Sequence, residues 1–245
     1  GGQGSSNTDG SINTTYTSAN TTAGFSISTY TGTGSNATVG HGLGVAPKMY
    51  MCKSRSGARS WAVYNENIGN TKALFLNSTD GQDTDATYWN STSPTNSVVS
   101  LGSRSEMNHS GENFVMYCFA EKKGYSKFGK YTGNGNADGP FINTGFKPAW
   151  VMVKKTSENG NSWVILDTAR ADVPNANVND QRLYADHNST EASSSTRAMD
   201  LVSNGFKIRG NGGDINNDGH TYIYMCFAAK PLVANVGQGI PATAR

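Results

Sequence analysis

Short runs in which apolar and polar residues alternate recur along the whole chain, and clusters of Gly, Asn, Asp and Ser interrupt them. Alternation with period two marks a half-buried strand, and the breakers supply turns. The pattern predicts strands near 24–30, 36–40, 48–54, 60–65, 72–77, 97–101 and 113–121. A second series is predicted near 124–131, 140–143, 149–155, 162–167, 181–185, 205–209 and 220–228. Gly-containing turns precede Trp61 and Trp163, so 48–54 pairs with 60–65 and 149–155 with 162–167 as hairpins. Residues 114–120 and 222–228 are almost wholly apolar. Such runs belong in the middle of a sheet, covered on both faces. There is no sustained helical periodicity; 188–202 has room for one helical turn.

The two series match each other. Tyr30-Thr-Gly-Thr-Gly34 followed by Pro47-Lys-Met-Tyr-Met-Cys-Lys53 returns as Tyr131-Thr-Gly-Asn-Gly135 followed by Pro148-Ala-Trp-Val-Met-Val-Lys154. We read an internal duplication: an all-β chain of two tandem antiparallel β-sandwich, jelly-roll-like units, at 22–122 and 123–232. Residues 1–21 are Gly, Ser, Thr and Asn with little to bury, and are expected to form an arm or linker. Residues 233–245 read as an extended tail.

Composition narrows the function. Charged residues make up 16% and the net charge is +2, without the basic excess of a nucleic-acid binder. No apolar run is long enough to span a bilayer, so no membrane insertion is expected. Cys52, Cys118 and Cys226 are an odd set, which argues against a disulfide framework, although a Cys52–Cys118 bridge is conceivable. The histidines have no ligand spacing, and His41, between glycines, reads as a turn residue packed on the sheet edge.

Two stretches carry candidate chemistry. Asp85, Tyr88, Trp89 and Asn90 lie in a polar loop where an aromatic ring beside amide and carboxylate groups suits a sugar. Asp214, Asn216 and Asp218 alternate like the start of a calcium loop, but Met225 stands where the closing bidentate Glu belongs. A hairpin turn is the plainer reading there, and no cofactor is expected. The acidic loop 80–85 is the only dense cluster of carboxylates on which a glycan-cleaving site could draw.

Several motifs together resemble a duplicated C-terminal domain family of tailed-phage fibre-like or adhesin-like structural proteins, mainly marine. They are Gly24-Phe-Ser-Ile-x-x-Tyr-Thr-Gly, His41-Gly-Leu-Gly-Val-Ala-Pro-Lys, Trp61-Ala-Val-Tyr, Tyr117-Cys-Phe-Ala-Glu, Gly124-Tyr-Ser-Lys-Phe-Gly, Thr144-Gly-Phe-Lys-Pro-Ala-Trp150, Ser203-Asn-Gly-Phe-Lys207 and Gly239-Ile-Pro-Ala-Thr-Ala-Arg245. The resemblance implies a virion, extracellular setting and a homo-oligomer, commonly a trimer. It supplies no catalytic residues. The expected function is non-enzymatic recognition of a host-surface glycan or protein. The alternatives are a filament or decoration subunit held by its N-terminal arm and, more remotely, a glycan depolymerase.

Overall fold

The structure is a computed structural model that describes residues 2–170 and 177–229. The predicted tail at 233–245 lies outside the described residues. The chain forms two compact units, Gly1–Asn77 with Gln82–Glu121, and Ser78–Gly81 with Lys122–Arg245. Both are all-β with antiparallel sheets.

Unit 1 contains β1 (Tyr16–Asn20), β2 (Phe25–Thr31), β3 (Ala37–Gly40), β4 (Met49–Ser54), β5 (Ala62–Asn65), β6 (Lys72–Phe75), β7 (Asp83–Thr84), β8 (Val98–Leu101), a single helical turn α1 (Ser105–Asn108), and β9 (Asn113–Phe119). A seven-stranded sheet runs β1-β2-β9-β4-β5-β6-β7, and β3 pairs with β8 in a two-stranded sheet. The core holds Tyr30, Tyr50, Cys52, Phe114 and Met116 from the large sheet together with Val39, Val99 and Leu101 from the small one.

Unit 2 contains β10 (Ser126–Thr132), β11 (Phe141–Asn143), β12 (Pro148–Lys155), β13 (Val164–Asp167), β14 (Gln181–Tyr184), β15 (Ala192–Ser193), β16 (Met199–Val202), β17 (Gly205–Ile208), the helical turn α2 (Gly213–Asn216), and β18 (Thr221–Ala228). Its six-stranded sheet runs β10-β18-β12-β13-β14-β15, and its three-stranded sheet β11-β17-β16. Val151, Val153, Tyr222 and Tyr224 of the large sheet share a core with Ile142, Phe206 and Leu201 of the small one. Both units are therefore sandwich-like but built from unequal sheets, where a jelly roll packs two matched ones.

The predicted hairpins form as β4–β5 and β12–β13. β9 and β18 are central strands, each flanked on both sides. They are covered differently. β18 is buried along most of its length, whereas β9 alternates between buried and half-buried residues. On the half-buried face of β9, Tyr117 and Phe119 cluster with Phe25 at ring separations of 6.4 and 5.0 Å. Residues 188–202 hold β15, a 3-10 turn at Ser195–Arg197 and the whole of β16.

The opening segment departs from expectation. It is not a free arm. β1 pairs with β2, Ser5 bridges Thr17, and Ile12 bridges Val39 and enters the core at 8% exposure. Hydroxyl groups rather than apolar surface hold the rest. The Asn7 N–H donates to Thr14 Oγ1 at 2.8 Å, and the Ser11 and Thr38 N–H groups each donate to the other's hydroxyl at 2.8 and 2.9 Å. A polar composition does not rule out a docked strand when side chains satisfy the backbone.

The cysteines are buried and none is in a disulfide. Tyr50 faces Cys118 across β4–β9 while Cys52 faces Met116, so the two thiols are diagonal neighbours. Diagonal Cα atoms lie about 7–8 Å apart, beyond the usual disulfide span. Among the described residues no helix is long and apolar enough to cross a membrane.

If the opening segment is integral to unit 1, Ile12→Ala should lower its unfolding free energy by about 2 kcal/mol in urea titration. A detached arm would leave the midpoint unchanged.

Candidate functional site

The repeated Tyr-Thr-Gly-x-Gly element is a structural lock. In unit 1 the Tyr30 hydroxyl donates to the Met107 carbonyl of α1 at 2.5 Å. Asn108, fully buried, donates through Nδ2 to the Ser35 and Gly102 carbonyls at 2.6 and 2.8 Å, and its Oδ1 accepts the Thr33 N–H at 2.8 Å. In unit 2 Tyr131 donates to Ile215 O at 2.6 Å. Asn216 Nδ2 donates to Asn136 O and Gly210 O at 2.7 and 2.9 Å, and Oδ1 accepts the Asn134 N–H at 2.9 Å. The glycines have defined tasks. A Cβ on Gly32 or Gly133 would meet a backbone carbonyl at 2.3 or 2.2 Å, and Gly34 and Gly135 have φ of +73° and +66°. Neither position admits another side chain without strain.

This lock accounts for the calcium-like stretch. Asn216 spends its amide on backbone groups. Asp214 accepts the Ser162 N–H at 3.0 Å and pairs with Arg197 through its other oxygen. Asp218 is exposed. The three do not converge, and among the described residues no group of three or more His, Cys, Asp or Glu is placed to hold a metal ion.

The loop proposed for sugar is also more structural than its sequence implies. Trp89 is fully buried, donates Nε1–H to Lys72 O at 2.8 Å, and meets the rings of Tyr50 and Tyr64 edge-on at 4.9 and 5.8 Å. It leaves no ring face for a ligand. Tyr88 is buried too, and its hydroxyl donates to Asp83 Oδ2 at 2.5 Å. Burial and Asp83 raise the Tyr88 phenol well above its ordinary value. Arg104 lies over the Tyr88 ring at 4.7 Å and within 3.5 and 3.4 Å of Asp83 and Asp85. The Thr87 hydroxyl and N–H, with Arg104, hold the Asp85 carboxyl below its usual value. Asn90, at φ +52°, accepts the Asn36 amide at 2.8 Å. These residues come together, but chiefly to satisfy one another.

Two clusters in unit 2 have the ingredients of hydrolytic chemistry without its geometry. Ser157 Oγ and Glu158 Oε2 lie 3.0 and 4.0 Å from the same nitrogen of His220, Nδ1. A relay needs the nucleophile and the carboxylate on opposite ring nitrogens. A groove of about 530 Å³ is lined by Asp138, Asp180, Arg209 and Val178 among others. Asp138 pairs with Lys207 at 2.8 Å, and that contact holds its carboxyl below the ordinary value. A general acid needs the opposite shift. Asp180 accepts the Ser193 hydroxyl.

His41 is fully buried. It accepts the Leu43 N–H at Nδ1 (3.1 Å) and faces the Thr95 carbonyl with Nε2 at 3.2 Å, and burial lowers its pKa. That pairing suits a neutral imidazole carrying its hydrogen on Nε2, a structural role.

A broad groove lies on the β1–β2 edge of unit 1. Tyr16, Ser18 and Asn20 of β1 stand opposite Thr29, Ile27 and Phe25 of β2. With Gln3 and Thr21 they line a groove of about 750 Å³. A second groove of about 540 Å³, reaching Arg55 and Asn113, shares Gln3, Tyr16 and Thr29 with it. Tyr16, 41% exposed, stands between them. Sequence reasoning passed over these residues because β1 has no apolar alternation to announce it.

With this geometry in place, comparison with known proteins is informative on one point. Residues 1–231 match the family model described as Domain of unknown function (DUF7483). The chain belongs to that family. The DUF7483 match covers both units through the end of β18. No curated protein and no solved structure matches the chain.

The terminal lysine of each repeated motif clasps its hairpin. Lys53 donates to Arg59 O and Lys154 to Asn161 O. Lys154 is fully buried, 5.9 Å from the Trp163 ring centroid. Burial pushes its amine down to about 8, against the opposing pull of Asp186, Asp214 and Asp80. Because the folded state binds this proton more weakly than the unfolded chain, its stability rises as pH climbs from about 8 toward 10.5. Between pH 7 and 9 this residue should add about 1 kcal/mol to the unfolding free energy. Urea titrations of Lys154→Met should lack that increment.

Proposed function

We propose that the chain is a non-enzymatic recognition module that binds carbohydrate in the groove between β1 and β2. The observation that carries this reading is the groove's lining. Tyr16 and Phe25 offer ring surface, Gln3, Asn20, Ser18 and Thr29 offer donors and acceptors, and no carboxylate lines it. Its volume lies in the range of small-molecule sites, and a neutral mixture of aromatic, amide and hydroxyl groups matches the two faces of a sugar ring.

The resemblance to fibre-like and adhesin-like phage proteins supplies the setting for the proposal. In it the module belongs to a virion, faces the host surface, and works as a homo-oligomer, with a trimer the arrangement expected of a fibre. We also read the two units as products of duplication. Support comes from the matched locks, in which Tyr30, Gly32, Gly34 and Asn108 correspond to Tyr131, Gly133, Gly135 and Asn216. The filament reading, which needs an N-terminal arm to exchange between subunits, gains less support, since that segment pairs within unit 1. The depolymerase reading meets the geometry of His220 and the depressed Asp138 described above.

A glycan array followed by calorimetry tests the proposal. Binding of a neutral or weakly charged oligosaccharide is expected, and Tyr16→Ala should weaken it roughly tenfold, about 1.4 kcal/mol. Binding that ignores Tyr16→Ala, or release of new reducing ends from the bound glycan, would overturn it.

A further inference from the structure

We propose that Asn159 is a site of spontaneous covalent modification, at which the native chain deamidates through a cyclic imide. Asn–Gly steps occur at Asn134, Asn159, Asn204 and Asn211. Asparagine before glycine is the thermolabile arrangement, because the following backbone nitrogen can reach the side-chain carbonyl carbon when no Cβ intervenes. What distinguishes the four is the state of that nitrogen.

Three are engaged. The Gly135 N–H donates to Asn216 O at 2.9 Å, within the lock of unit 2. The Gly212 N–H donates to Thr196 O at 2.7 Å. Gly205 is buried inside β17, paired with Val202 on one side and Asn143 on the other. A nitrogen held in this way must give up its contact before it can attack.

Gly160 differs in each respect. Among the described residues its N–H has no hydrogen-bond partner. It sits at φ +80° in the exposed loop between β12 and β13, with no atom within 4 Å of where a Cβ would stand. Asn159 is exposed as well, and its Oδ1 accepts the Gly81 N–H at 2.8 Å. An N–H aimed at the amide oxygen stabilises the negative charge that gathers there on attack. Gly81 packs closely there, since a Cβ added to it would meet the Thr156 and Glu158 carbonyls at 2.9 Å.

The chemistry needs only water. The Gly160 nitrogen loses its proton to solvent and bonds to Asn159 Cγ, and the side-chain nitrogen leaves as ammonia, closing a five-membered imide. Water then opens the imide at either carbonyl, giving aspartate or isoaspartate. Aspartate keeps an acceptor for the Gly81 N–H. Isoaspartate lengthens the backbone by one atom and withdraws it. Either product adds a carboxylate next to Glu158.

The test is peptide mapping by mass spectrometry after incubating the whole chain at mildly alkaline pH, native and in denaturant. In denaturant the four steps should convert at comparable rates. In the native chain Asn159 should convert near its denatured rate, while the other three slow at least about tenfold. Gly160→Ala should slow conversion at 159 roughly tenfold, because a Cβ beside the attacking nitrogen crowds its approach to Asn159 Cγ. Protection of Asn159 equal to that of Asn134, Asn204 and Asn211, or earlier conversion of any of those, would overturn the proposal.

Discussion

Each unit depends on one buried asparagine. Asn108 and Asn216 each bind backbone groups of two separate loops from the end of a single helical turn. A one-turn helix cannot sustain itself. It persists here because the amide beside it satisfies the loops and the tyrosine hydroxyl satisfies its carbonyl. Remove the amide and two loop carbonyls lose their donor at once, one of them buried, where a group left unpaired costs about 1–3 kcal/mol. The glycines, the tyrosine and the asparagine form one device, and the sheets are arranged around it.

This explains which parts of the fold were legible. The strands were, because alternation marks β2 and near-continuous apolar runs mark β4, β9, β12 and β18. β1 was not, because its contacts are made by hydroxyl and backbone groups whose donors and acceptors have no period. α1 and α2 were not, because four residues are too few to show one. The repeated motif was visible as a repeat, while its purpose needed the partner asparagine far along the chain. The burial of the loop's aromatic residues was hidden for a related reason. Trp89 lies among polar neighbours in sequence, but Tyr50 and Tyr64 close over it from other strands.

The units share their frame and differ in their trim. The hairpin lysine makes the same contact to a loop carbonyl in both, yet Lys53 is half-buried and Lys154 wholly enclosed near three carboxylates. The seven-stranded sheet carries the β1 edge and its grooves, and among the described residues the six-stranded sheet has no strand in the corresponding place. Recognition chemistry is therefore sought in what unit 1 adds, and the lock is left to architecture.

The buried thiols have a use that concerns neither binding nor assembly. Cys52 and Cys118 lie in the core of unit 1, and Cys226 in that of unit 2. Burial pushes the Cys52 thiol up to about 12 and raises that of Cys118. A thiol in that state reacts with an alkylating reagent only when its surroundings part. The chain thus carries an intrinsic clock for each half, and the order in which the three sulfurs are trapped reports which half breathes first.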